Sequence, residues 1–165
     1  MVRPILNIAD IEYQPWGRGE KFAAQLGEIA TRIGAQKLGY NLTVIPAGKR
    51  AFPMHSHMAN EEMFFVLDGA GELRIGQERF PIRSGDVIAC PPGPPHTARQ
   101  IINTSTSELR FLAVSTRLSP EICHYPDSGK MGVLAELPAA ADGTAQRLRI
   151  MARKQSTPED YWDGE

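Results

Sequence analysis

The sequence predicts an all-β domain, a sandwich or barrel of short strands. Three observations predict it. The 15 glycines and 13 prolines punctuate the chain at short intervals, and "IPAGKRAFP", "LDGAGE", "RIGQERFP", "RSGD" and "CPPGPPH" all carry turn chemistry. Between them lie runs of β-branched, aliphatic and aromatic residues: "QKLGYNLTVI", "EMFFVL", "ELRI", "RFPI", "DVIAC" and "ELRFLAVS". Short strands with regular turns are the signature of a sandwich or barrel. Finally, a parallel α/β fold needs helical crossovers of about a dozen residues, and turn signals between Ile45 and Ser115 arrive too often to leave room for them.

Three segments follow in order. Residues 1–34 form an N-terminal extension in which "GEKFAAQLGEIATRIG" reads as a helix by its alanines or as a strand pair by its glycines. This extension is suited to be the arm of a homodimer. Residues 35–118 hold the predicted barrel. Residues 119–165 read as a loop-rich extension that begins at Pro120 and could fold over the barrel mouth as a lid, with Tyr125 and Lys130 on it. Within it, "LPAAADGT" is a linker-like turn. In "STPEDYWDGE", Ser156 or Thr157 as N-cap and Pro158 in the first turn start a helix, with Tyr161 and Trp162 as anchors; a frayed acidic terminus is the alternative.

Bulk properties narrow the function. At 165 residues the chain is one domain with extensions, long enough to bury roughly 70% of its unfolded surface. A net charge of -1 gives no reason to expect nucleic acid or a membrane surface as partner. The densest basic cluster, Arg147, Arg149, Arg153 and Lys154, reads as a solvated face. No apolar stretch approaches the roughly 20 residues of a membrane span, and the N-terminus lacks signal-peptide character. Two cysteines are too few for a disulfide scaffold, so a reducing cytoplasm is the expected setting. Cys90 reads as a small core residue.

The chemistry concentrates in "HSHMANEEMFFVLDG" (residues 55–69). Residues two apart on a strand share a face, so His55 and His57 can present both imidazoles to one interior. Glu62 shares parity with Phe64 and Val66, and a carboxylate on an apolar face is costly unless paired or bound to a metal. Glu61 points the other way. His96 follows the stiff loop "CPPGPPH", which cannot be a central strand because proline donates no ladder hydrogen bond. Three of the four histidines and one glutamate thus sit at two loop–strand junctions. Imidazole and carboxylate together suit Fe, Mn, Ni, Cu, Co or Zn, and four ligands around a six-coordinate ion leave two positions open for catalysis.

Glycines and prolines fall in register with these residues. Gly48 precedes His55 by six intervening residues; His55-Ser56-His57 is followed by four residues, Glu62, six residues and Gly69. After Gly85 come five residues, Pro91, Pro92, Gly93, two residues and His96. These segments resemble the two motifs of the cupin superfamily, G-x5-HxH-x3,4-E-x6-G and G-x5-PxG-x2-H-x3-N, over roughly residues 37–116. The match departs twice: one extra residue separates Gly48 from His55, and Gln100 stands where the second motif ends in asparagine. The resemblance implies a double-stranded β-helix, or jelly roll, with one divalent transition metal (Fe, Mn, Ni or Zn) in the barrel mouth, held by His55, His57, Glu62 and His96. It is also similar to small single-domain bacterial cupins and, by analogy with them, implies a homodimer.

Other side chains are weighed against this frame. Gln100 shares parity with His96 and should face the interior, where it could bond a substrate. Arg99 should face out. Phe64 is a core residue or lines the substrate pocket. His124 lies outside both motifs and reads as a packing histidine. The expected function is a metal-dependent enzyme on a small molecule, like an Fe(II) dioxygenase or a sugar isomerase or epimerase; the alternative is a non-catalytic module that binds or senses a metabolite or metal. No residue is assigned as general acid or base. For a phosphorylated substrate, Lys49 and Arg50 beside the mouth are the only candidate cations.

Overall fold

The computed structural model describes residues 2–153 and residue 162. The helix start expected at Ser156 to Pro158 and the anchor at Tyr161 lie outside the described residues. Thirteen strands follow in chain order: β1 (Tyr13–Arg18), β2 (Phe22–Glu28), β3 (Leu38–Ile45), β4 (Ser56–His57), β5 (Glu62–Asp68), β6 (Ala70–Ile75), β7 (Glu78–Arg83), β8 (Val87–Cys90), β9 (Arg99–Ile102), β10 (Leu109–Thr116), β11 (Glu121–Tyr125), β12 (Lys130–Leu137) and β13 (Gln146–Arg153). Helical structure among the described residues is confined to short 3-10 turns, and no helix there is long and apolar enough to cross a membrane.

The strands pair antiparallel in three sheets, ordered β1-β2-β3-β10-β5-β8, β13-β12-β11-β4 and β7-β6-β9. Alternation decides what each contributes. In β5, Phe64 and Val66 are buried while their neighbours are half-exposed, and in β10 Leu109, Phe111 and Ala113 do the same. These residues meet Ile45, Leu73, Ile82, Ile88, Cys90 and Ile101 in the main core. Phe64 stands edge-on against Phe111 with ring centroids 5.6 Å apart, the arrangement aromatic quadrupoles favour. Phe64 is therefore core.

The N-terminal extension is a strand pair, not a helix. Gly17, at φ +150°, lies where a Cβ would come within 2.2 Å of the Phe22 carbonyl oxygen, so a glycine is needed for β1 and β2 to approach. The β1-β2 hairpin joins the edge of β3, pairing Gln25 with Val44 and Glu28 with Asn41. Leu42 packs with Ile11, Ile29, Leu6 and Tyr13 in a second core. This explains why β3 is buried on both faces over Leu42–Ile45.

The C-terminal extension was expected to be loop-rich, and it is strand-rich instead. Its turn at Pro126–Ser128 is closed by Gly129 in the left-handed region, which lets β12 fold back along β11. β11 in turn bonds β4, setting Cys123 opposite His57 and His124 opposite Ser56. A sequence reading weighted by Pro, Ser and Gly saw the turn residues and missed the ladder between them.

Candidate metal centre

Three short connections build the site. β4 lies between β9 and β11. His55 exchanges backbone bonds with Arg99, 3.2 Å and 2.9 Å long, and the His57 carbonyl accepts from the Gly93 amide at 2.8 Å. The proline loop therefore fixes the strand that carries both histidines. β5 then begins at Glu62, opposite Cys90, so this carboxylate enters on the face of Phe64 and Val66.

His55, His57 and Glu62 come together: one ligand atom from each lies within 4.8 Å of the others, and all three residues are half-buried. The other ring nitrogens fix the tautomers. His55 Nδ1 lies 2.8 Å from the Pro53 carbonyl oxygen, which only accepts, so Nδ1 carries the proton. His57 Nδ1 lies 3.3 Å from Glu121 Oε2 and 3.4 Å from Cys123 Sγ; the carboxylate again requires a proton on Nδ1. Both Nε2 atoms are left as bare lone pairs. His57 Nε2 is buried without a hydrogen-bond partner, and the nearest carboxylate oxygen, Glu62 Oε1, is 3.7 Å away. That is too long for a hydrogen bond and suits two ligands of one ion. Burial, the largest influence, lowers the pKa of both imidazoles despite the opposing pull of Glu62, so both stay in the neutral form that ligates a metal. On these observations the three residues fit a divalent ion.

His96 is not brought to this cluster. Pro95–Thr97 form a 3-10 turn in which His96 is exposed, and it lines an outer groove with Met54, Arg74, Phe80 and Asp127. That turn also resets the alternation: β9 begins at Arg99, so counting parity from His96 fails. Arg99, expected to face out, has a side chain only 2% exposed and an Nη2 atom 2.5 Å from Glu62 Oε2. It is the cation that faces the carboxylate of the centre.

Gln100 is buried, on the face of β9 opposite to Arg99, and its amide is already engaged. Nε2 donates to the Phe52 carbonyl at 2.7 Å, and Oε1 accepts from Arg50 Nη1 at 3.3 Å. Gln100 thus fastens the 50–52 loop. Lys49 donates to the Glu20 carbonyl at 2.6 Å. The cation placed at the centre is Arg99, not Lys49 or Arg50.

The extension supplies two groups, Tyr125, which the sequence placed on a lid over the barrel mouth, and Glu121, which sequence reasoning missed. Tyr125 stacks on His55, with centroids 5.9 Å apart and planes 26° from parallel. Glu121 is 5% exposed and gathers donors. Oε1 accepts from the amides of Met58 at 2.9 Å, Ala59 at 3.2 Å and Ile122 at 2.8 Å; Oε2 accepts from the Asn60 amide at 2.8 Å and from the Asn60 side chain. Burial pushes this carboxyl up, but the amides of Ala59 and Asn60, the Asn60 side chain and His57 outweigh it and hold the group below the usual range. Glu121 therefore anchors the 58–60 loop, which joins the histidines to Glu62, and orients His57. Nothing in "SPEICHY" marks it, because its partners are backbone amides some 60 residues away. Burial raises the thiols of Cys90 and Cys123 to about 11, so neither is a ready thiolate.

An antiparallel all-β fold with a two-histidine, one-carboxylate cluster at a strand junction defines a class, and comparison with known proteins gives it a name. Residues 41–115 match the family model of the cupin domain. The chain is 33% identical over 60 residues to an uncharacterised protein of Methanocaldococcus jannaschii, covering 36% of this chain and 47% of that one. It is 34% identical over 86 residues to quercetin 2,3-dioxygenase of Bacillus subtilis, covering 50% of this chain and 26% of the enzyme. The chain therefore spans about half or less of the length of these relatives. A solved sugar phosphate isomerase of the cupin superfamily from Silicibacter pomeroyi superposes with a TM-score of 0.75 and 25% identity, covering 96% of this chain and 98% of that one. The chain thus carries a cupin domain over residues 41–115, and its fold is the double-stranded β-helix.

Proposed function

We propose that the protein is a metal-dependent enzyme acting on a small molecule, with His55, His57 and Glu62 as the ligands of one divalent transition ion. The observation that carries this reading is the pair of anchored Nδ1 atoms, which leaves both Nε2 lone pairs free beside a carboxylate. Two imidazoles and one carboxylate form the donor set of non-haem iron oxygenases, and the same set accepts Mn, Ni or Zn. Such an ion would supply Lewis-acid or redox chemistry with positions left open. Around it, Glu121 holds His57 in one tautomer, and Tyr125 covers one face of His55.

Two reaction types stay within this reading. The likeness to quercetin 2,3-dioxygenase favours oxygen chemistry. The likeness to the Silicibacter sugar phosphate isomerase, which extends over nearly the whole chain, favours isomerisation of a carbonyl compound. Metal analysis of protein purified without chelator, followed by melting with ferrous iron, manganese, nickel and zinc, tests the centre. Bound metal, or a rise in melting temperature with one of these ions, is expected; failure of all four overturns it. Dioxygen uptake with catechols and turnover of sugar phosphates then separate the two reactions, and inactivity on both panels favours a binding module.

A further inference from the structure

Four buried side-chain polar atoms among the described residues have no hydrogen-bond partner: Arg50 Nε, Ser56 Oγ, His57 Nε2 and Arg99 Nε. Two of them belong to one cluster, and they ask for opposite things. His57 Nε2 is a lone pair, which a cation satisfies. Arg99 Nε is an N–H donor, which no cation can satisfy; it needs an acceptor. Arg99 has few other outlets, because its Nη2 is committed to Glu62 at 2.5 Å and its Nη1 makes only a long bond, 3.4 Å, to the His55 carbonyl. Its side chain is 98% buried, being 2% exposed, so water is a poor substitute.

Charge points the same way. Without an ion, the Arg99 guanidinium and the Glu62 carboxylate neutralise each other, while Glu121 is dispersed over backbone amides. A divalent ion on Glu62 adds two positive charges to a half-buried cluster. Together with Arg99 they exceed the negative charges of Glu62 and Glu121. A buried charge excess is costly unless it is met by a counter-charge. An anionic oxygen on the ion and against Arg99 Nε answers both demands.

We propose that the ligand of this centre is a small oxyanion, such as a carboxylate, phosphate or enediolate, and that Arg99 is the residue that selects it. The proposal rests on the metal centre proposed above. Arg99 is the cation against the ligand Glu62, and it is the anion receptor of this proposal. A guanidinium presents a planar fork that matches an oxyanion's lone pairs, which an ammonium does not.

Cobalt(II)-loaded protein tests this, because the visible spectrum of the ion reports what binds without any turnover. Glycolate, inorganic phosphate and imidazole, a neutral ligand, are titrated into the wild type, Arg99→Gln and Arg99→Lys. In the loaded protein Glu62 is held by the ion, so neither variant strands a bare carboxylate. Wild type is expected to bind at least one of the two anions saturably and more tightly than imidazole; whichever anion binds tighter names the source chemistry. Arg99→Gln is expected to weaken anion binding by about tenfold or more, in line with loss of a charge-assisted hydrogen bond, relative to imidazole binding measured in the same cobalt-loaded variant. Arg99→Lys retains the charge but lacks the donor at the Nε position, so it should fall between the two. If Arg99→Gln does not fold, Arg99→Lys decides alone. Anion affinity in the folded variants equal to wild type, or a wild-type preference for imidazole, overturns the assignment of Arg99 while leaving the metal centre standing. Failure of the wild type to take up cobalt overturns both.

Discussion

Replacing Glu121 separates the two tasks of one carboxylate. In Glu121→Ala the amides of Ala59, Asn60 and Ile122 lose their acceptor, whereas the Met58 amide retains the Ile122 carbonyl at 2.9 Å. Each stranded buried donor costs about 1–3 kcal/mol. The Asn60 side-chain amide retains the Leu118 carbonyl at 3.1 Å. The expected loss is thus about 3–9 kcal/mol, which at roughly 2–4 °C per kcal/mol for a chain of this size lowers the melting temperature by at least about 6 °C. Glu121→Gln retains one acceptor oxygen and nearly the same shape, so it should cost less. It turns an acceptor into a donor on one side, however, and the orientation of His57 suffers; loss of such a supporting carboxylate weakens metal binding by about 10–100-fold. Thermal melts of the metal-free proteins and cobalt titrations of both variants provide the assay. A Glu121→Gln protein that binds cobalt like wild type, together with a Glu121→Ala protein whose melting temperature falls by less than about 6 °C, would refute the argument.

Three further outcomes follow from the same geometry. His57→Ala should abolish the metal-induced rise in melting temperature, while His96→Ala should retain it, since His96 is exposed in the outer groove; an equal loss in both would restore a four-ligand centre. Phe111→Ala should destabilise the fold by about 3–5 kcal/mol in a urea melt, because Phe111 is 1% exposed and edge-on to Phe64. The metal-free protein should lose stability in acid in two stages. Both imidazoles have pKa values lowered by burial, so the unfolded chain takes up their protons first and stability falls below about pH 6.5. Glu121, also lowered, contributes stability above about pH 4.3 that is lost as pH falls through its folded value. Glu121→Gln should remove the second stage and deepen the first, because Glu121 favours the protonated form of His57, as followed by melting temperature against pH.

Much of the fold and part of the site are legible in the residues because their causes are local. A turn needs glycine or proline where the backbone demands it. Gly69, at φ +85° with a virtual Cβ 2.3 Å from the Glu108 carbonyl oxygen, admits no side chain. Strand alternation similarly sets Glu62, rather than Glu61, on the face of Phe64 and Val66. The same rule fails for Arg99, since alternation holds only within one uninterrupted strand. The 3-10 turn at Pro95–Thr97 breaks the count, sending His96 to the surface and Arg99 inward. The N-terminal segment was ambiguous for a related reason: its alanines and glycines have no strong local preference, and the edge of β3 decides that they form strands.

By itself, then, the sequence determined an all-β fold and the nearness of His55, His57 and Glu62, to which it added His96, since periodicity and turn chemistry act over a few residues. Only the tertiary structure decided that Arg99 faces the centre, that Glu121 from the far side of the chain holds His57 in place, and that the C-terminal extension is a sheet wall. Those contacts join residues 37 to 66 positions apart, and the energy that selects them comes from neutralising buried charge and satisfying buried donors, neither of which a local stretch of sequence can specify.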